Sequence, residues 1–339
     1  MAALLKTTRI MRACGRILAA ILGTTVAMTG ALVAQEPQQP AQQRPARPVF
    51  KSAVDLVSVA AVVRDKRGRF VKGLHKDDFI VEESGKRREI EQFQAEDDAP
   101  VRVALLFDVS GSMRVSAHIE EARQAARQVL ASMRLSTNPV DDEAAVFSFD
   151  MNLQSLQPFT ADPGAIEHAL SRVAPYGQTS LYDAIGQTAR RVADTAPGDP
   201  HRRAVIVLTD GIDTSSEMTP ERVAAIAASI DVPIYVVAVV SPLDHAGTSD
   251  AVEGPAGERE GVLRTLARWT GGDLFVTSAP AQQSLAARQI VDELRHQYML
   301  AFGSSGPGSG WRALNVRVKD KDATVRARSG YSSAPRIGS

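Results

Sequence analysis

The chain has 339 residues, 44% of them apolar and 23% charged, and its 39 basic residues are balanced by 39 acidic ones. That length supports a sizeable core and about two domains. The balanced charge gives no global basic field of the kind that attracts nucleic acid, and the single cysteine, Cys14, excludes a disulfide framework.

Lys6, Arg9, Arg12 and Arg16 precede an uncharged run of apolar and small residues from Ile17 to Ala34, and Leu32-Val33-Ala34 offers a cleavage point before Gln35. Residues 1–34 therefore read as a secretory signal peptide, with an uncleaved membrane anchor as the alternative. The expected location is periplasmic, cell-surface or secreted, with membrane contact only if the segment is retained. Cleavage would remove Cys14 together with four basic residues and no acidic one, leaving a net charge of −4. Residues 35–50, rich in Gln, Pro and Ala, read as a flexible linker.

Residues 51–98 read as a β segment. Leu56–Val63 is rich in β-branched residues, Phe79–Glu82 is a short strand before a turn at Ser84-Gly85, and Arg88–Gln94 alternates less cleanly. These strands are too few to close a core alone. Strand character returns at Tyr298–Phe302, Leu314–Val318 and Thr324–Arg328. The expectation is a small β-sandwich made by residues 51–98 and 296–332 together, followed by a tail, 333–339, with an α/β domain over residues 101–295 inserted between the two halves. Arg312, Arg317, Lys319, Lys321, Arg326 and Arg328 make the last strands basic and read as an alternating solvent face.

Between the two halves, apolar runs alternate with helical spacing. Val103–Phe107, Ala144–Phe149, Ala204–Leu208 and Ile234–Val240 read as buried parallel strands. Ile119, Ala122, Ala126, Val129 and Met133 mark one helical stripe. Asp162-Pro163 and Thr219-Pro220 signal helix starts, and Ser180 with Asp183 reads as a capping box. Val262–Trp269 and Ala281–Gln297 supply later helices around an edge strand at Gly271–Val276, while Leu153–Pro158 reads as an antiparallel edge. The fold class is α/β: a doubly wound, mainly parallel six-stranded sheet with helices on both faces. Loop Pro242–Glu260 follows a sheet strand and lacks structure signals. Trp269 and Trp311 read as core or sandwich-edge anchors.

The chemistry concentrates in Val101–Met113. Its apolar strand stops at Asp108, followed by Ser110 and Ser112 with Gly111 between them. Leu208 likewise ends a strand before Thr209-Asp210-Gly211, and Gly177-Gln178-Thr179-Ser180 precedes a helix. In a parallel sheet such loops gather beyond the carboxyl ends of the strands. Asp108, Ser110, Ser112, Thr179 and Asp210 form an all-oxygen set suited to a hard divalent cation, which would also offset the repulsion of two close carboxylates. Asp213 reads as a turn residue beside that set.

These residues, in this order, resemble the metal-ion-dependent adhesion site of von Willebrand factor type A domains, over Val101 to about Arg295. The resemblance implies Ser110, Ser112 and Thr179 as direct or state-dependent ligands, with Asp108 and Asp210 acting directly or through water. It implies Mg²⁺, with Mn²⁺ or Ca²⁺ as alternatives, and a non-enzymatic module that captures an exposed Asp or Glu carboxylate of a protein partner. The last helix, Ala281–Gln297, is the element whose shift would follow occupancy. Gly73-Leu74, Asp78-Phe79 and Gly330-Tyr331 are similar to the flanks of secreted bacterial proteins of this kind.

Two other function classes fit less well. A metal-dependent hydrolase needs a base near the site, and His118, the histidine closest in sequence, reads as a solvated helical residue. His-Glu-x-x-His and Gly-x-Ser-x-Gly motifs are absent from the sequence. An assembly protein with a purely structural metal would lose stability on chelation without losing its partner.

Overall fold

The longest apolar runs of the sequence become the central strands. The computed structural model describes residues 56–136, 141–174, 177–194, 199–239, 255–304 and 310–333, all within one unit, Ser52–Ser339. The leader, the linker, the tail from residue 334 and loop residues 242–254 lie outside the described residues.

In chain order the elements are β1 (Leu56–Asp65), β2 (Phe79–Glu83), β3 (Lys86–Arg88), β4 (Ile90–Ala95), β5 (Val101–Asp108), α1 (His118–Ala131), β6 (Glu143–Phe149), β7 (Leu153–Thr160), α2 (Pro163–Ser171) and α3 (Leu181–Ala193). There follow β8 (Arg202–Thr209), α4 (Pro220–Ser229), β9 (Ile234–Val239), α5 (Pro255–Trp269), β10 (Leu274–Thr277), α6 (Pro280–Arg295), β11 (Tyr298–Gly303), β12 (Gly310–Val318), β13 (Ala323–Ala327) and β14 (Gly330–Ser333).

A six-stranded sheet runs in the order β10-β9-β8-β5-β6-β7, parallel except for the antiparallel edge strand β7. Its two faces divide the strand residues by parity, because successive side chains of a strand point to opposite sides. Val103, Leu105 and Phe107 of β5 pack with α1, α2 and α6, whereas Ala104 and Leu106 pack with α3, α4 and α5. This is the doubly wound α/β fold expected. The stripe Ile119, Ala122, Ala126, Val129 and Met133 is buried on the first face.

Strands from both ends of the described chain make the second core. One sheet has the order β13-β1-β11-β4 and the other β14-β12-β2-β3. Val59, Val81, Leu300, Phe302, Leu314 and Val316 lie in the core they share. β14 lies beyond the last strand predicted. Its Gly330 permits close pairing with β12, since a Cβ there would fall 2.4 Å from Trp311 and 2.6 Å from the Arg312 carbonyl.

Four local expectations need correction. Helix α5 starts at Pro255, seven residues before Val262. The added residues from 257 to 262 are exposed or half-buried, so the apolar period begins only where the helix reaches the core at Leu263. The basic final strands are not a uniform solvent face. Arg326 pairs with Asp273 (3.1 Å) and the fully buried Glu293, Arg312 pairs with Glu83, and Arg328 donates to the Ala228 and Ser58 carbonyls. Trp311 is 46% exposed on β12 beside the edge strand β14, so of the two positions expected for it the core one is ruled out and the sandwich edge stands. Ser180 makes no side-chain capping bond, for a reason that belongs to the site.

Candidate metal centre

The register of two adjacent parallel strands brings the loops together. Phe107 of β5 stands opposite Leu208 of β8, so Asp108 and Thr209 leave the sheet side by side and Asp210 follows one residue later. The Thr209 hydroxyl donates to Asp108 Oδ2 (2.6 Å), and the Gly211 N–H donates back to the Thr209 hydroxyl (2.9 Å). Asp108 Oδ1 accepts the Ser110 N–H (2.9 Å), an Asx turn that folds the loop back over the strand end. Two residues further the Ser110 and Ser112 hydroxyls lie 2.9 Å apart, and Met113 is fully buried beneath them, anchoring the loop.

The Thr179 loop is tied in by backbone. The Gly111 N–H donates to the Gly177 carbonyl (3.0 Å), and the Ser180 N–H donates to the Asp150 carbonyl beyond β6 (2.9 Å). Gly177 has φ +104°, a left-handed conformation that a side chain would strain. The Thr179 N–H donates to Thr214, and the Thr179 carbonyl accepts the N–H groups of Thr214 and Ser215. Among the described residues its side-chain hydroxyl has no hydrogen-bond partner, and the residue is 2% exposed.

The capping expectation fails because a distant carboxylate takes the helix's free N–H. Asp213 Oδ1 accepts from the Leu181 N–H (2.8 Å) and from the Ser216 hydroxyl (2.6 Å), and the Ser216 hydroxyl accepts the Tyr182 N–H (2.9 Å). Asp183 instead accepts the Glu217 and Met218 N–H groups. The segment after β8 thus caps α3 from outside, a pairing that local spacing does not reveal.

Burial pushes the Asp108 carboxyl up to about 7. Hydrogen bonds from Thr209 and Ser110 oppose that rise, and the Asp210 charge adds to it. A buried carboxylate that feels the charge of Asp210, beside the Ser110 and Ser112 hydroxyls and with the Thr179 loop tied to theirs by backbone, is oxygen chemistry compatible with a hard cation. Among the described residues no group of three or more His, Cys, Asp or Glu offers an alternative metal cluster. His118 is buried rather than solvated, and its ring nitrogens have no partner among the described residues; it hydrogen-bonds none of the five oxygen donors.

Residues 103–226 match the family model of the von Willebrand factor type A domain. Thrombospondin-related anonymous protein of Plasmodium falciparum is 29% identical over 123 residues, which cover 34% of this chain and 22% of that protein. The match thus spans about a fifth of that protein's length. A solved von Willebrand factor type A structure from Catenulispora acidiphila is 14% identical, with 84% of this chain and 74% of that one covered and a TM-score of 0.46. The vWF domain of the type V pili tip protein Mfa5 from Porphyromonas gingivalis is 14% identical, with 57% and 94% covered and a TM-score of 0.44. The helix-flanked six-stranded sheet that carries Asp108, Thr179 and Asp210 has a von Willebrand factor type A-like fold, and residues 103–226 within it match that family.

Proposed function

We propose that this chain is an exported, non-enzymatic binding module that captures a protein partner through an exposed Asp or Glu carboxylate, in a divalent-cation-dependent manner. Asp108, Ser110, Ser112, Thr179 and Asp210 would hold the cation, with Mg²⁺ the first choice and Mn²⁺ or Ca²⁺ alternatives. The cation, when bound, supplies a coordination position that an external carboxylate can fill. The observation that carries the reading is the hydrogen-bonded start of the site at adjacent strand ends, where buried Asp108 meets Thr209 beside Ser110 and Ser112. Its two carboxylates offset the cation's charge, while neutral hydroxyls complete the donor set and leave the ion attractive to a further anion.

The match to thrombospondin-related anonymous protein and the likeness to a pilus tip domain agree with a protein-binding role. The basic leader and apolar run of residues 1–34 support export. Isolation of partners from an exported fraction on the immobilised protein tests the reading. A partner should be retained in Mg²⁺, released by chelator and absent with Asp108→Ala, while the melting curve persists through chelation. Retention of the same partner by Asp108→Ala in chelator would overturn the proposal, and a collapse of stability on chelation without loss of the partner would favour a structural metal.

A further inference from the structure

The other end of the parallel strands carries its own buried cation, Arg202. β8 runs from Arg202 to Thr209, so Arg202 stands about 23 Å from the candidate cation site at roughly 3.3 Å per residue. There a cleft of about 460 Å³ opens between the sandwich and the starts of β8 and β9. That volume is within the usual range for small-molecule sites. Its floor consists of two cross-strand rows, Ser58–Ala301–Gln92 and Ala60–Met299–Gln94, on one face of the β1-β11-β4 sheet. Three small side chains leave the space open, and the Gln92 amide offers a donor, while Gln94 Nε2 already donates to Glu96.

We propose that this cleft takes a small oxyanion, a carboxylate or a phosphate, on the guanidinium of Arg202. Arg202 lines the cleft and is 8% exposed. Its Nε and Nη2 have no hydrogen-bond partner among the described residues. Those two atoms form the edge with which a guanidinium grips a carboxylate or phosphate through parallel bonds. The nearest carboxylate, Glu96, is 3.8 Å from Nη2, beyond hydrogen-bond reach. Burial lowers the Arg202 pKa, the mark of a cation stripped of water without full compensation.

The acids lining the cleft do not fill the gap. Asp199 is engaged by Arg102 and His201, and Asp231 acts on Arg202 through its charge without a hydrogen bond to it. An incoming oxyanion would supply the missing acceptors, and Gln92 would face the rest of the ligand.

Calorimetric titration of the full chain with inorganic phosphate, and separately with succinate, tests the proposal. The titrations are run in chelator at constant ionic strength, so that the candidate cation site takes no part. Saturable binding of at least one probe is expected, weakened at least tenfold in Arg202→Gln and in Arg202→Lys, and retained in Asp108→Ala. Arg202→Lys keeps the charge but loses the fork, so it carries the test if Arg202→Gln does not fold. A preference for phosphate or for succinate tells which oxyanion the site is built for. Absence of saturable binding in the native chain would overturn the proposal, as would unchanged affinity in both Arg202 variants. Binding that emerges only in Glu96→Gln would also overturn it, by showing that Glu96 closes on Arg202 in solution.

Discussion

The Thr209 hydroxyl donates a 2.6 Å hydrogen bond to Asp108 Oδ2, joining the ends of β5 and β8 at the candidate cation site. The bond favours the ionised carboxylate, which is the form a cation needs. Thr209→Val keeps the volume and deletes the donor. A hydrogen bond to a charged group contributes about 1.5–3 kcal/mol, so Mg²⁺ affinity at pH 7 should fall about tenfold to a hundredfold. The fold should persist. Calorimetric titration checks this, and an unchanged Kd would show that Thr209 does not support the ligand set.

The raised Asp108 pKa sets a pH window. Burial lifts this carboxyl from 3.8 to about 7. In the metal-free protein its contribution to stability is fully present below pH 4 and is lost as pH rises through 7. Cation binding runs the other way, because the proton must leave first. Mg²⁺ affinity should therefore rise about tenfold per pH unit between pH 5 and pH 7 and flatten above that range. Melting in chelator should show the opposite trend from this group, and excess Mg²⁺ should cancel it. Affinity that is flat from pH 5 to pH 8 would contradict the account.

Much of this was legible because it is local. The apolar run Val103–Phe107 ending at Asp108 reads as a buried strand, and the parity of its residues is the parity of the two cores. Asp162 and Thr219 cap the helices they precede, accepting the Gly164 and Arg222 N–H groups. What spacing concealed depends on partners far along the chain. Asp213 displaces Ser180 as the cap of α3 from 33 residues after it, at a helix start where Ser180 and Asp183 satisfy the local pattern. Arg326 reads as a solvated strand residue until α6 brings Glu293 against it. The Arg202 cleft had no sequence signal, because it arises where two separately folded-back segments meet.

A buried ion pair fixes the lower end of α6. Asp142 accepts the N–H groups of Val101 (3.0 Å) and Arg134 (2.6 Å) and is paired with Arg295 of α6. Burial works to raise the Asp142 pKa, but the Arg295 bond and the two N–H groups outweigh it and hold the carboxyl below the usual range. Its stabilising contribution is present above pH 4 and is lost as pH falls through the depressed value. Asp142→Asn leaves buried Arg295 with only the exposed Asp98 carboxylate, 3.8 Å away, as a counter-charge, and breaking such a buried pair costs about 3–5 kcal/mol. Denaturant unfolding at pH 7 should show that loss, and the gap between variant and native protein should narrow below pH 4. A neutral substitution would mean that water reaches Arg295 and replaces the carboxylate.

Two glycines separate backbone crowding from helix propensity. A Cβ on Gly272, just before β10, would lie 2.0 Å from the Ile234 carbonyl oxygen and 2.6 Å from its carbon. Both are backbone atoms at the start of β9, so relief requires moving a sheet strand. Gly272→Ala should cost at least about 1–3 kcal/mol, the usual penalty for overpacking. Gly261, within α5, has no atom within 4 Å of such a Cβ, and a helix interior favours Ala over Gly by about 1 kcal/mol. Gly261→Ala should therefore raise the melting temperature while Gly272→Ala lowers it, and scanning calorimetry of the two variants reads both signs. Equal effects would show that β9 and β10 are not packed as closely as Gly272 requires.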